Sequence, residues 1–262
     1  MEEIIRKSKR EDLPALKELW SECFPDDTGY AHFFFENIFK EKCAVVFESG
    51  DEILGMIHVF PRTINTPCGK LSAKYIYGVG TKKSARGRGV AGKLIDSEAK
   101  DTDILVLIPA NEGLFEFYRK KGFSEICEIA KVTLPPFGKT PVRKATEEDI
   151  PYMNSVYENA LCESLYATRD FATWKLLLAE YASFGGGFSV FSGGYCAHYE
   201  KDGELIISEA FGENTDSIDF GREATYTTLG FGSKMAVIRP ITERAREVLS
   251  VTQKRYINLM HN

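Results

Sequence analysis

The sequence holds only four histidines, and none of its six cysteines, at positions 23, 43, 68, 127, 162 and 196, stands in a C-x-x-C spacing. Structural zinc sites need clustered Cys and His, so no metal site is expected. No apolar run approaches the roughly 20 residues that cross a bilayer as a helix. Met1 to Arg6 is acidic and then basic, without the apolar stretch of a signal peptide, so a reduced, cytoplasmic protein is expected. An excess of basic charge is also missing. The chain has 33 basic and 38 acidic side chains, a net charge of −5, where a nucleic-acid binder usually carries a basic stripe. Neither a nucleic acid nor a membrane is an expected partner. What is present is 262 residues of ordinary globular composition, enough for one large domain or two small ones.

Two segments of the chain are alike. Arg6, Lys7, Glu11, Asp12 and Pro14 recur as Arg143, Lys144, Glu148, Asp149 and Pro151, all displaced by 137 positions. Each reads as a short strand, a turn and an amphipathic helix. Asp12 and Asp149 lie near the helix start, where a carboxylate suits the positive end of the dipole. Proline fits the first helical turn. Five identities at one offset indicate a duplication. The period is too long for a solenoid, so two related domains are expected, 1–134 and 141–262, with a linker at Pro135–Lys139.

In the first half, His32–Phe39 is apolar, and Cys43–Glu48, Ile53–Phe60 and Leu71–Thr81 read as strands, with a turn at Gly50-Asp51. A helix is expected within Arg86–Lys100. Ile104–Ile108 is a continuous apolar run, the pattern of a strand buried on both faces. Asn111–Lys121 reads as a helix stopped by Gly122, and Phe123–Ile129 as a further strand. This order predicts an α/β fold with a mixed (α+β) sheet.

The informative segment runs from Val79 to Lys93. It leaves a strand, passes Arg86, Gly87, Arg88 and Gly89, and opens a helix at Val90, Ala91 and Gly92. Glycines there permit positive φ and close backbone approach, and free N–H groups at a helix N-terminus form an anion site. The chemistry indicated is a pyrophosphate held by backbone amides. Gly87-x-Gly89-x-x-Gly92 matches a dinucleotide fingerprint, with Asp101 and Asp103 downstream. Arg86-x-x-Gly89-x-Ala91 matches the R-x-x-G-x-G/A loop of acetyl-CoA-dependent transferases. A Rossmann glycine turn follows its strand at once, whereas here Lys82–Ala85 intervene and antiparallel strands precede. The context favours acetyl-CoA.

With Ile108-Pro109-Ala110-Asn111, Phe117-Tyr118 and Lys121-Gly122-Phe123 following at the right distance, residues 3–130 resemble the GNAT N-acetyltransferase superfamily. The duplicated layout resembles the tandem-GNAT, Eis-like enzymes without their sterol-carrier-like domain. The resemblance implies that backbone groups of Val79, Gly80 and Thr81 pair with the pantetheine arm and orient the thioester. Amides of Arg86, Gly87, Arg88, Gly89, Val90, Ala91 and Gly92 would cradle the pyrophosphate. Asn111 and Leu114 would lie beside the pantetheine. Lys82, Lys83 or Lys93 could meet the 3′-phosphate. Tyr118 matches the tyrosine that protonates the departing thiolate. Independently, a phenol of pKa about 10 can donate to a thiolate of pKa about 8.5.

The general base stays open between the carboxylate of Asn262, His58 and a water relay, because Tyr75 stands where some family members carry a glutamate. Residues 141–262 hold 12 basic and 17 acidic side chains. Phe188–Phe191, Tyr195–Glu200 and Glu204–Glu209 read as short strands, Gly185–Gly187 as a turn, and 209–216 as an acidic loop that would repel a pyrophosphate. This half is expected to be a degenerate GNAT copy on the acceptor side, its charge suiting a cationic amine. The reading is an acetyl-CoA-dependent N-acetyltransferase acting on a small-molecule or peptide amine. The alternative is a non-catalytic acyl-CoA sensor or interaction module.

Overall fold

The computed structural model describes residues 2–25, 29–134 and 138–259. They form two compact units. The first comprises residues 2–63, 71–125 and 237–249, and the second residues 64–70, 126–236 and 250–259. Residues 126–134 thus cluster with the second unit and 237–249 with the first. Pro135 and Pro136, in the expected linker, lie outside the described residues. No helix of the described residues is long and apolar enough to cross a membrane.

The first unit opens with β1 (Glu3–Lys7) and α1 (Leu13–Cys23), followed by β2 (Ala44–Ser49) and most of β3 (Glu52–Thr66) and β4 (Gly69–Thr81), whose residues 64–66 and 69–70 cluster with the second unit. Next come α2 (Val90–Ser97), β5 (Ile104–Leu107) and α3 (Glu112–Arg119). β1 and β2 are antiparallel, as are β2 and β3 across the turn at Gly50, whereas β4 and β5 are parallel and joined through α2. Val237–Pro240 returns from late in the chain and pairs antiparallel with Leu107–Ile104. The sheet is therefore mixed, and β5, flanked on both edges, is buried at every residue, as its unbroken apolar run requires. Val90, Leu94 and Ile95 of α2 and Phe115 and Tyr118 of α3 pack with Leu54, Ile57, Leu105 and Val237 in one core.

β3 continues past the expected end at Phe60, through Pro61, to Thr66. Its pairing with β2 ends at His58 and the Val59–Cys43 bond, so Pro61 faces no β2 partner whose hydrogen bond its missing N–H would break. The apolar stretch at His32–Phe39 forms a short helix, Tyr30–Phe33, that continues as a single π-helical turn, Phe34–Ile38.

The duplicated residues build the same joint twice. Arg6 grips Asp12 with two hydrogen bonds of 2.7 and 3.0 Å, and Asp12 accepts the Lys9 N–H at 2.7 Å. Arg143 grips Asp149 at 2.9 and 2.6 Å, and Asp149 accepts the Thr146 N–H at 2.9 Å. Each aspartate ends a short 3-10 turn and occupies the position just before a helix that carries proline in its first turn. Hydrogen bonding from Arg143 holds the Asp149 carboxyl down at about 2.

In the second unit, antiparallel strands Gly187–Phe191, Gly194–Lys201 and Glu204–Gly212 are followed by Ala224–Leu229, which runs parallel to the last of them. Ala224–Leu229 also pairs antiparallel with Ile129–Leu134. Helices Ile150–Leu161 and Phe171–Ser183 carry Tyr157, Trp174 and Tyr181 into an aromatic core with Phe188, Tyr195 and Phe211. Gly185, at φ +75°, turns the chain from helix to strand, as read from the sequence. The acidic stretch 209–216 is a loop only in part. Glu209 to Gly212 complete a strand, and Glu209 points inward onto Arg169. A carboxylate with a cation built against it forms an inner strand residue rather than a solvated loop.

Candidate active site

The site begins where two strands part. β4 pairs with β5 only through Ala73–Tyr75 against Ile104–Val106, yet β4 runs on to Thr81. The backbone of Val79–Thr81 is thus not paired to β5. Beyond Thr81 a 3-10 turn, Lys83–Ala85, buries Ala85 completely and hands the chain to the glycine loop. Gly87 and Gly89 take φ of +82° and +78°, and a Cβ at either would meet nothing within 4 Å. Glycine is needed there for backbone conformation, not for space. Gly89 caps α2, so the amides of Val90, Ala91 and Gly92 lie in a first turn that leaves N–H groups without helical partners.

These elements enclose a cleft of about 610 Å³, within the usual range for a small-molecule site. Val79, Thr81, Arg86, Gly87, Gly89, Val90, Ala91 and Gly92 line it from the strand and loop, and Asn111, Leu114 and Tyr118 from the start and face of α3. Gly80 and Arg88, also singled out from the sequence, do not. Gly80 is turned toward Met56 and Cys23, whose atoms lie 3.1 and 3.2 Å from where a Cβ would stand. The Arg88 side chain leaves the cleft and meets Glu3 at 2.9 Å, as does Lys93 at 2.8 Å. Hydrogen bonding from Lys93, more than from Arg88, holds the Glu3 carboxyl below its usual range. Lys82 is paired with Glu52.

The lining also includes Cys23, Phe24, Phe117 and Lys121, which the sequence reading passed over. The Cys23 thiol reaches the Thr81 carbonyl at 3.5 Å, and burial pushes its pKa up. Lys121 had a visible signal, as a second lysine immediately before the helix-ending glycine. Cys23 and Phe24 come from the end of α1, distant in sequence, and carried none.

Tyr118 is 6% exposed and lies edge-on to Phe117 and Phe123, at centroid distances of 5.1 and 5.8 Å. Among the described residues its hydroxyl has no hydrogen-bond partner, although it lines the cleft. Burial raises its pKa to about 12, so it is a neutral proton donor across the physiological range. His58 is wholly buried against Trp20 and Phe34, at centroid distances of 5.6 and 4.8 Å, and does not line the cleft. Burial lowers its pKa to about 3. Neither ring nitrogen has a well-formed hydrogen bond. A base must touch the proton it removes, and His58 sits behind a wall of aromatic rings. Asn262 lies outside the described residues. Asp103, one of the two acidic residues of the dinucleotide alternative, accepts from Ser72 N–H and Oγ at 2.9 and 2.8 Å and from Thr242 Oγ1 at 2.9 Å. It is engaged in joining strands and is not presented to a ribose.

Residues 4–126 match the family model described as an acetyltransferase (GNAT) domain. That segment, a little under half of the chain, is similar to GNAT acetyltransferase domains. Over 95 residues it is 30% identical to the L-2,4-diaminobutyric acid acetyltransferase of Chromohalobacter salexigens, an alignment that covers 36% of this chain and 47% of that protein. The chain thus spans about half the length of this curated relative. Among solved structures, a probable N-acyltransferase from Enterococcus faecalis superposes with a TM-score of 0.73 at 14% identity, covering 94% of this chain and 74% of that one. Eis1 from Mycobacterium abscessus gives 0.66 at 11% identity, covering 91% and 74%. At these identities the likeness is one of fold, and the shared fold runs through both units of the chain. The GNAT match places the cleft between β4 and β5 inside the matched segment.

Proposed function

We propose that the chain is an N-acetyltransferase that moves the acetyl group of acetyl-CoA to a primary amine by direct transfer. One observation carries the reading: a single cleft brings together an amide-lined loop, an open strand edge and a phenol that has no hydrogen-bond partner among the described residues. The group fits these residues. The left-handed glycines present the loop amides to a pyrophosphate, and Arg86 and Lys121 add positive charge to the lining. Backbone groups of Val79 and Thr81, not paired to β5, hold the pantetheine and polarise the thioester carbonyl. Asn111 and Leu114 flank the arm.

The acceptor nitrogen attacks the carbonyl carbon, and the carbon–sulfur bond breaks. Tyr118 gives its proton to the departing sulfur and recovers one from the nitrogen, so the phenol ends neutral. A phenol raised by burial suits this task because the same apolar surroundings also raise the pKa of the thiol that forms. The name of the Chromohalobacter relative supports a small diamine-type acceptor. The surplus of acidic side chains in residues 141–262 supports a cationic one.

The test is melting of the purified protein with acetyl-CoA, CoA and NADH, followed by CoA release with a panel of primary amines. Acetyl-CoA at about 100 times its Kd stabilises a fold by about 2.7 kcal/mol, a plain shift in Tm. A shift with CoA species, together with amine-dependent thiol release, is the expected result. Binding without release by any amine would leave the acyl-CoA sensor as the better description. No shift with either CoA species would end the transferase reading.

A further inference from the structure

The basic side chains around the cleft are almost all committed elsewhere. Arg88 and Lys93 pair with Glu3, Lys82 with Glu52, and Arg119 and Lys120 with Glu116. Arg86 donates from Nε to the Thr81 carbonyl at 3.3 Å. Lys121 differs. It is half-buried, it lines the cleft, and it pairs with no carboxylate among the described residues. Its stem is steadied by Phe117, with Nζ 5.1 Å from the ring centroid. Its ammonium lies over the first turn of α2, where a Cβ on Gly92 would stand 2.6 Å from Nζ.

That placement is electrostatically one-sided. The N-terminal end of a helix is the positive end of its dipole, a location that disfavours a cation. Here a helix N-terminus and an ammonium face the same cleft, and no carboxylate of the described residues pairs with the ammonium. A single bound anion would satisfy both. Gly92 also explains how the ammonium comes so close, since any side chain there would hold it away from the amides.

We propose that Lys121 is a donor-binding residue whose ammonium pairs with the pyrophosphate seated on the N-terminus of α2. This rests on the acetyl-CoA reading and adds to it the cation that supplies the counter-charge. Two other basic side chains of the segment, Arg88 and Lys93, are turned outward to Glu3. Because Lys121 has no ion-pair partner among the described residues, its removal costs the free fold little, whereas a bound donor loses a charge-assisted contact.

The experiment is calorimetric titration of the full chain and its Lys121→Ala and Lys121→Arg variants with CoA and with 3′-dephospho-CoA. The second ligand keeps the pyrophosphate and lacks the 3′-phosphate. Expected are a roughly tenfold weakening of both ligands in Lys121→Ala, about 1.4 kcal/mol, and most of the affinity restored in Lys121→Arg. In turnover, donor KM rises by a similar factor while kcat holds, the mark of binding energy lost equally from ground and transition states. The Tm of the ligand-free variant stays at the wild-type value. Unchanged affinity in Lys121→Ala overturns the proposal, as does a loss confined to CoA, which would assign the lysine to the 3′-phosphate. A fall in the ligand-free Tm with no change in binding overturns it in favour of a structural role. If the wild-type protein binds neither ligand, it is the acetyl-CoA reading itself that has failed.

Discussion

Replacing Arg169 by methionine should destabilise the second unit by an amount that depends on pH in a direction fixed by the structure. Arg169 and Glu209 are 4% and 2% exposed at their side chains and meet in a two-pronged pair at 2.6 and 2.7 Å. The carboxylate also accepts from Tyr195 at 2.6 Å, Tyr256 at 2.8 Å and Asn258 at 3.3 Å. The guanidinium lies 4.1 and 4.8 Å from the ring centroids of Tyr157 and Trp174 and donates to the Asn258 carbonyl at 3.0 Å. Burial pushes the Glu209 carboxyl up, but Arg169 outweighs burial and holds it below its usual range. In the wild-type protein its contribution to stability is therefore full above the unfolded pKa, about 4.3. It is lost only as pH falls through the lower folded value.

Without Arg169 the balance reverses. Burial then raises the carboxyl above about 4.3, and the folded variant prefers a protonated Glu209. Breaking a buried pair costs about 3–5 kcal/mol, and this cost belongs to neutral pH. It should shrink as pH falls, by about 1.4 kcal/mol per unit between the variant's raised pKa and about 4.3. Glu209→Gln should cost a similar amount with no such slope between about pH 5 and pH 8, because nothing at the site then titrates. Urea unfolding followed by Trp174 fluorescence reads this unit, in a Trp20→Phe background that silences the tryptophan of the other. A cost under about 1 kcal/mol at pH 7, well short of a broken buried pair, would refute the reasoning. So would a cost that does not change with pH.

Tyr118→Phe should lower kcat by about 10²–10⁴, the usual worth of a general acid. Donor affinity and Tm should stay unchanged, because the hydroxyl has no hydrogen-bond partner among the described residues; wild-type kcat would remove Tyr118 from the mechanism. Gly89→Glu, at φ +78°, sets a carboxylate at the phosphate seat and should abolish the acetyl-CoA melting shift, whereas retained binding would refute the loop assignment. Gly78→Ala forces a Cβ to 2.9 Å from both His58 Nδ1 and Trp20 Cζ3 at φ +55°. Left-handed strain and overpacking together cost about 2–4 kcal/mol, and urea unfolding with the fluorescence of Trp20 should show the loss.

Much of the cleft was legible because its chemistry is local. Gly87 and Gly89 announce positive φ, and the Asn111–Tyr118 spacing sets one face of a helix. The side-chain directions were not legible. Whether Arg88 reaches into the cleft depends on Glu3, 85 residues earlier in the chain, and no periodicity reveals that meeting. Lys121 shows the converse, a surface-looking lysine whose place over Gly92 exists only once α3 packs beside α2. His58 was weighed as a base from its strand position alone, and the rings that seal it come from Trp20 and Phe34. The helix Phe171–Ser183 was missed because apolar residues surround it. Its real signal was the cap, Asp170 accepting the Thr173 N–H at 2.7 Å. The return of Val237–Pro240 onto β5 is a long-range pairing that no local pattern encodes.

The recurring residues fall at positions that serve folding and not at positions that serve the cleft. Five recurring residues were read as a sign of related domains, and the structure shows what two of them do. Arg6 and Asp12, like Arg143 and Asp149, lock a strand to the helix that follows it. That task is the same at both joints, and the same residue pair performs it in each. Nothing in the recurring set lines the cleft. The glycine loop has no counterpart in residues 141–262, and the stretch expected there as an acidic loop instead carries Glu209 inward to close a buried charge. A carboxylate committed to Arg169, Tyr195 and Tyr256 is tied to the stability of its own unit. The repeat is thus evidence of a shared scaffold, and donor chemistry has to be argued from the Val79–Gly92 segment and α3 alone.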